Sequence, residues 1–163
     1  MTVQRLPNTC LKKIWVAIIT SFILIGCQAY YQGGVVNSEN RIILPAGPEK
    51  GLMDTRDLVF YYALSREKNR LTVSGTVEFT GGVEDFPVVR YFHLHIYFLD
   101  SDGHILERRR IFSAGHLQEA RTWSFRRQLD IPGDTSALAF GYSGRVRDVG
   151  TDAPVWDFWK VPY

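Results

Sequence analysis

From residue 41 onward the chain is built of short stretches in which apolar and polar residues alternate, separated by turn residues. Arg70–Phe79 places Leu71, Val73, Val77 and Phe79 on one side and Thr72, Ser74, Thr76 and Glu78 on the other. A period of two predicts a strand with one buried face. Gly75 falls on the apolar side, where a bulge or the close approach of another side chain is expected. Val88–Leu99 is the strongest strand, with Phe92, Leu94, Ile96 and Phe98 opposing Tyr91, His93, His95 and Tyr97. Asp100-Ser101-Asp102-Gly103 then reads as a turn with glycine in the left-handed position, so residues 105–112 return as the second arm of a hairpin.

Further strands are expected at 41–44 (stopped by Pro45), 58–64, 122–131, 137–146 and 156–161. Residues 45–57 read as a turn-rich loop. No segment of helical length keeps a 3.6-residue period, and residues 113–120 offer at most one helical turn. Residues 147–155 read as loop, and Trp156, Phe158, Trp159 and Tyr163 offer either a second sticky surface or, as the preferred reading, a cap on the core beside the last strand. Seven or eight short strands with regular turn signals predict an all-β fold, a single antiparallel β-sandwich over residues 41–163.

In the stretch 105–112 (ILERRRIF) both faces are apolar at the ends and charged in the middle. Buried in a central strand, these arginines would cost several kcal/mol unless paired, by roughly the penalty for unpaired buried charge. An edge strand or a bulge is therefore expected, and edge charge also discourages aggregation. Arg127 interrupts the apolar face of 122–131 in the same way.

The N-terminal pattern differs. Residues 1–13 carry Arg5, Lys12 and Lys13 and no acid, and residues 14–25 (IWVAIITSFILI) are almost wholly apolar. A basic start followed by an apolar run shorter than the roughly 20 residues of a membrane-crossing helix is the layout of an export signal. The run ends in Leu24-Ile25-Gly26-Cys27, which resembles the lipobox of bacterial lipoproteins. That resemblance implies removal of residues 1–26, a diacylglyceryl thioether on Cys27, and a further acyl chain on the freed amine. Several acyl chains anchor stably where one does not. Gln28, in the place where Asp retains enteric lipoproteins in the inner membrane, implies sorting to the periplasmic face of the outer membrane. Residues 27–40, rich in Gly, Gln, Asn and Ser, are expected to form the lipidated tether. The strand spacing over 58–146, with Val73-Ser74-Gly75-Thr76-Val77, the run from Phe92 into the Asp100–Gly103 turn, and Phe140-Gly141-Tyr142-Ser143-Gly144, resembles immunoglobulin-like or fibronectin-type-III-like envelope domains.

Composition sharpens this picture. The 163 residues hold 19 Lys+Arg against 17 Asp+Glu, a formal +2 that invites a nucleic-acid reading. Removal of residues 1–26 takes three basic residues and no acidic one, leaving 16 bases against 17 acids. The basic character thus belongs to the export signal, and nucleic acid is not an expected partner. Cys10 leaves with the signal and Cys27 is taken by lipid, so neither a disulfide nor a thiolate metal site is expected in the domain.

No phosphate loop, dinucleotide fingerprint, metalloprotease helix or Cys-x-x-Cys pair occurs. Gly141-Tyr142-Ser143-Gly144 has its second glycine one place too early for a nucleophile elbow, which also requires a following helix. A hydrolase is accordingly the weakest alternative. His93 and His95 point the same way from one strand, a spacing usable for zinc or copper with His104 or His116 as a third ligand. A small metal-binding protein is the second alternative, although no metal or other cofactor beyond the lipid is expected. Asp100-x-Asp102-Gly103 begins like a calcium loop, but the fifth and twelfth positions are His104 and Ile111, so the turn reading prevails.

What remains is a surface. The candidate binding residues are Tyr91, His93, His95 and Tyr97 on one arm of the hairpin, joined by Arg109 and Arg126 from the arginine-rich run between 105 and 127. Arginine and aromatic residues together suit anionic or sugar-rich ligands. The expectation is a non-enzymatic interaction or assembly module whose partners are the membrane through its anchor, and envelope proteins, peptidoglycan or an anionic glycolipid.

Overall fold

The computed structural model describes residues 34–119 and 122–163, the side chains of 116–119 excepted. The proposed signal segment, Cys27 and Gln28 lie outside the described residues. Among the described residues nine strands run in order: β1 (Ile42–Ile43), β2 (Glu49–Asp54), β3 (Leu58–Glu67), β4 (Arg70–Phe79), β5 (Val88–Leu99), β6 (Ile105–Glu119), β7 (Trp123–Asp130), β8 (Ala137–Arg147) and β9 (Val155–Lys160). They form two antiparallel sheets. One has the order β2-β3-β4-β7; the other has β1-β8-β5-β6, with β9 also paired to β8. The sheets do not close into a barrel, and the fold is an all-β sandwich. No helix among the described residues is long and apolar enough to cross a membrane.

The alternating residues do what their period requires. Phe92, Leu94, Ile96 and Phe98 are fully buried from β5, as are Leu71, Val73 and Val77 from β4. Each such side chain contributes about 1.5–3 kcal/mol through the area withdrawn from water. The middle of the core is aromatic. Phe92 stacks on Trp123 and Phe158, and Phe79 meets Phe92, Trp123 and Phe158 edge-on. Gly75 is needed because a Cβ there would run into the Phe60 ring and the Tyr61 carbonyl.

The β5–β6 hairpin forms as expected. Gly103 takes φ 91° in the connecting turn, and Gly103 N–H donates to Asp100 O at 3.2 Å. β6 is an edge strand and is also bulged: Leu94 pairs with Phe112, whereas His95 pairs with Arg110. The extra residue, Ile111, lets two successive side chains pack toward the core, Ile111 fully and Phe112 partly buried.

Four expectations are corrected. Residues 49–54, read as loop, form β2, because Glu49–Asp54 pairs residue by residue with Leu64–Val59 of β3. Residues 113–119, allowed a helical turn, continue β6, because β5 supplies pairing as far as Val88↔Glu119. Residues 34–40 are not a free tether. Val36 is fully buried, Val36 N–H donates to Gly103 O at 2.9 Å, Ile105 N–H donates to Gly34 O at 2.9 Å, and Ser38–Asn40 form a 3-10 turn. Finally, the C-terminal aromatics do not all cap the core. Phe158 is buried, but Trp156 is 46%, Trp159 66% and Tyr163 48% exposed.

Candidate functional site

From Tyr91 to Tyr97 the odd-numbered side chains of β5 lie on the outer face of the β1-β8-β5-β6 sheet; the register shift between Val89 and Tyr91 puts Val89 in the main core instead. Across the strands Tyr91 pairs with Arg145 of β8, His93 with Ser143 and with Ser113 of β6, and His95 with Gly141 and Arg110. Arg145 pairs onward with Asp157, and Ser143 with Trp159. These cross-strand rows gather Tyr91, His93, His95, Ser113, Ser143, Arg110, Arg145 and Trp159 on one face.

The Tyr91 ring is the hub. It stacks on His93 at 5.5 Å between centroids, and the Arg145 guanidinium lies 5.9 Å from its centre. Arg145 is itself held by a two-pronged pair with Asp157, at 2.6 and 2.8 Å. That bonding raises the arginine and lowers the aspartic acid, so both are charged throughout the ordinary pH range. His93 Nδ1 lies 3.0 Å from Ser113 Oγ, which ties the ring to a β6 side chain.

His95 is harder to protonate. Burial, followed by the positive charges of Arg108, His93 and Arg110, pushes it down to about 4. His93 is lowered too, by burial and then Arg110. The two rings meet edge-on at 6.3 Å. The neighbourhood repels a cation, the reverse of what a metal site built on this pair would require. His104 lies instead at the hairpin turn, its Nδ1 3.3 Å from Asp100 Oδ2, and the His116 side chain is outside the described residues.

Asp100, Asp102 and His104 lie close together, and the turn accounts for them. Asp100 Oδ1 accepts from Asp102 N–H at 2.9 Å and from His104 N–H at 2.8 Å. Desolvation would raise this carboxyl. The hydrogen bonds from His104, Asp102 and Gly103, with the His104 ring, outweigh it and hold the group below its usual value.

The expected single patch of aromatics and arginines is divided by the structure. Tyr97 is 2% exposed and belongs to a second small core with Val36, Leu99, Ile105, Ala137 and Ala139. Val36 of the 34–40 segment packs over it. Arg109 pairs with Ile96 and so faces inward, away from His93 and His95. Its Nε and Nη2 donate to Glu107 at 2.6 Å each, its Nη1 donates to Asp130 O at 2.6 Å, and it rests over the Phe98 ring at 5.2 Å. Arg127 reciprocates from β7, donating to Ile111 O at 3.3 Å. The two arginines stitch edge strands β6 and β7 together across the open side of the sandwich. Arg126 is exposed on the other outer face, opposite Ser74. Of the six candidates, therefore, Tyr91, His93 and His95 share a surface, and Tyr97, Arg109 and Arg126 do not belong to it.

Arg145 and Ser143 are not found by sequence reasoning, which also prefers the core to the surface for Trp159. The alternation of Trp156, Phe158 and Lys160 against Asp157 and Trp159 was a usable signal, because it bars Trp159 from the core once Phe158 is in it. Between the sheets a separate cleft of about 270 Å³ has Phe140, Ile42 and Met53 among its apolar residues and Glu39, Asp54 and Lys160 among its charged ones.

The fold class and the surface are thereby defined on physical grounds. No family model, curated protein or solved structure matches this chain.

Proposed function

We propose that this chain is a bacterial envelope lipoprotein, held through lipid on Cys27 at the periplasmic face of the outer membrane. Its β-sandwich is a non-enzymatic module that binds a sugar-rich or anionic envelope ligand on the outer face of the β1-β8-β5-β6 sheet. The Leu24-Ile25-Gly26-Cys27 sequence supports the anchor. The distribution of strands, with β3-β4-β7 facing β6-β5-β8-β9, supports the resemblance to immunoglobulin-like and fibronectin-type-III-like sandwiches.

The observation that carries the binding reading is the stack of Arg145, Tyr91 and His93 on a partly solvated sheet face. A planar aromatic flanked by a fixed cation and a neutral imidazole offers a stacking platform together with directional donors. Neighbouring Ser113, Ser143 and Arg110 add hydroxyl and guanidinium groups of the kind that hold sugars and phosphates.

Two measurements test the reading. Labelled palmitate is expected to enter the wild-type chain and not Cys27→Ala. The detergent-solubilised mature protein is expected to sediment with purified peptidoglycan or to bind vesicles containing lipopolysaccharide. Tyr91→Ala should weaken that capture by about tenfold, the equivalent of ~1.4 kcal/mol. Capture by neither material, or equal capture by Tyr91→Ala, sinks the binding reading and leaves the anchor standing.

A further inference from the structure

Strand β9 leaves an unusual edge. It pairs with β8 on one side, and among the described residues nothing pairs with the other. Val155 is 55%, Trp156 46%, Trp159 66% and the following Val161 37% exposed. Edge strands are ordinarily shielded by charge, proline or a bulge within the strand. Here the prolines stand only at the two ends, the strand's charges are Asp157, which is taken up by Arg145, and Lys160, and two tryptophans and two valines stand beside unpaired backbone.

The tryptophans lie on opposite faces of the sheet. Trp156 pairs with buried Val146, and Trp159 pairs with Ser143 on the outer face. A ligand resting on either face touches one of them. Only something running along the edge itself touches both, and that describes an added strand.

We infer that the added strand is β9 of a second copy of this chain, joined antiparallel about a twofold axis at Phe158. The sequence selects this register. Pro154 and Pro162, which cannot donate to a ladder, bound the seven residues 155–161, and Phe158 is their midpoint. A twofold there uses the whole proline-free stretch of both copies.

It also keeps every side chain on its own face. Val155 falls opposite the partner's Val161, Trp156 opposite Lys160, and Asp157 opposite Trp159. Two exposed valines cover one another, and an ammonium meets an indole face. Moving the axis to Asp157 would set two carboxylates against each other. Moving it to Trp159 would bring Pro162 into the ladder. The strand is therefore self-complementary in one register, as an isologous contact requires. The result is a continuous sheet through both copies. This inference does not depend on the lipid anchor or on the ligand of the outer face.

The test is disulfide trapping in whole cells expressing the full chain. Val155 and Val161 are roughly 20 Å apart within one copy, at about 3.3 Å per residue, so a bond between them must join two copies. With Val155→Cys and Val161→Cys in the same chain, mild oxidation is expected to give roughly tenfold more covalent dimer than either substitution alone. Only that pairing falls within the ~5.5–6 Å Cα separation that a disulfide favours. The wild type sets the background from Cys27. Sedimentation velocity of the solubilised wild type should report a dimer that Val155→Asp converts to a monomer with the wild-type β-sheet circular dichroism spectrum, and the wild-type melting temperature, but not that of Val155→Asp, should rise with protein concentration. A monomeric wild type, or covalent dimer no more abundant in the double variant than in the single ones, overturns the proposal.

Discussion

The Tyr142 hydroxyl of β8 donates to Asp57 Oδ2 at 3.0 Å, joining one sheet of the sandwich to the β2–β3 turn of the other. Thr55 Oγ1 lies 2.9 Å from the same hydroxyl, donates to Leu58 O and accepts from Leu58 N–H. Asp57 is the one buried charged residue among those described, and Arg56 Nε approaches its other oxygen at 3.2 Å. Burial, together with Asp57 and despite the Thr55 contact, pushes the Tyr142 phenol well above its usual range, so it remains a donor at any ordinary pH.

Tyr142→Phe should therefore cost about 1–3 kcal/mol, because it strands a buried carboxylate. Asp57→Asn should cost less, since an amide oxygen still accepts. Urea unfolding of both single variants and the double variant is expected to show coupling between the two positions. Strict additivity would mean that the hydrogen bond contributes nothing across the sheets.

Arg109→Ala should lower stability by about 1–3 kcal/mol, the usual range for hydrogen bonds to a charged group. Arg109→Lys should recover little, because an ammonium cannot span both Glu107 oxygens and the Asp130 carbonyl in the same geometry. Arg126→Ala, on the opposite outer face, should leave stability within about 0.5 kcal/mol of wild type, as exposed substitutions generally do. Thermal melts of the three variants check the contrast.

His95 gives the fold an acid-sensitive component. Its ring is neutral in the folded protein down to about pH 4, while in the unfolded chain it takes a proton near its ordinary value of 6.5. Between those limits the unfolded state binds more protons, so stability falls as the pH falls and levels off below about 4. The contribution stays below the ~3.4 kcal/mol that a change from 6.5 to about 4 would carry for a fully buried ring, because His95 is partly solvated. His95→Gln should flatten the unfolding free energy across that window. An unchanged slope would place the acid sensitivity elsewhere.

Val36→Asp should loosen the small core over Tyr97. A buried valine contributes about 1.5–3 kcal/mol, and an uncompensated carboxylate adds its own penalty. Limited proteolysis is expected to cut the 34–40 segment faster in this variant, with the β5–β6 hairpin losing amide protection.

Much of the sandwich was legible because period-two alternation is a direct image of a half-buried sheet. β4, β5, β7 and β8 follow it closely, and the edge position of β6 follows from arginines that a central strand could not bury. β2 was hidden because Glu49–Asp54 is half charged and includes glycine, and its conformation is set by β3 rather than by its own residues. The binding face was only partly legible for a related reason. Alternation assigns side chains to faces until a bulge intervenes. The extra residue at Ile111 places Arg110 and Arg108 with His95 and Tyr97, and turns Arg109 inward. Nor does alternation reveal that a neighbouring segment lies over Tyr97, since Val36 is remote from it along the chain.

That segment has a mechanical consequence. A force drawn through the chain N-terminal to Gly34 meets the domain at the hairpin turn, where Ile105 N–H holds Gly34 O and Val36 N–H holds Gly103 O. These two bonds take the load before any strand of the main core does. Under tension the domain would therefore yield first by peeling back its leading residues, uncovering Tyr97, Leu99 and Ala139 while both sheets remain intact.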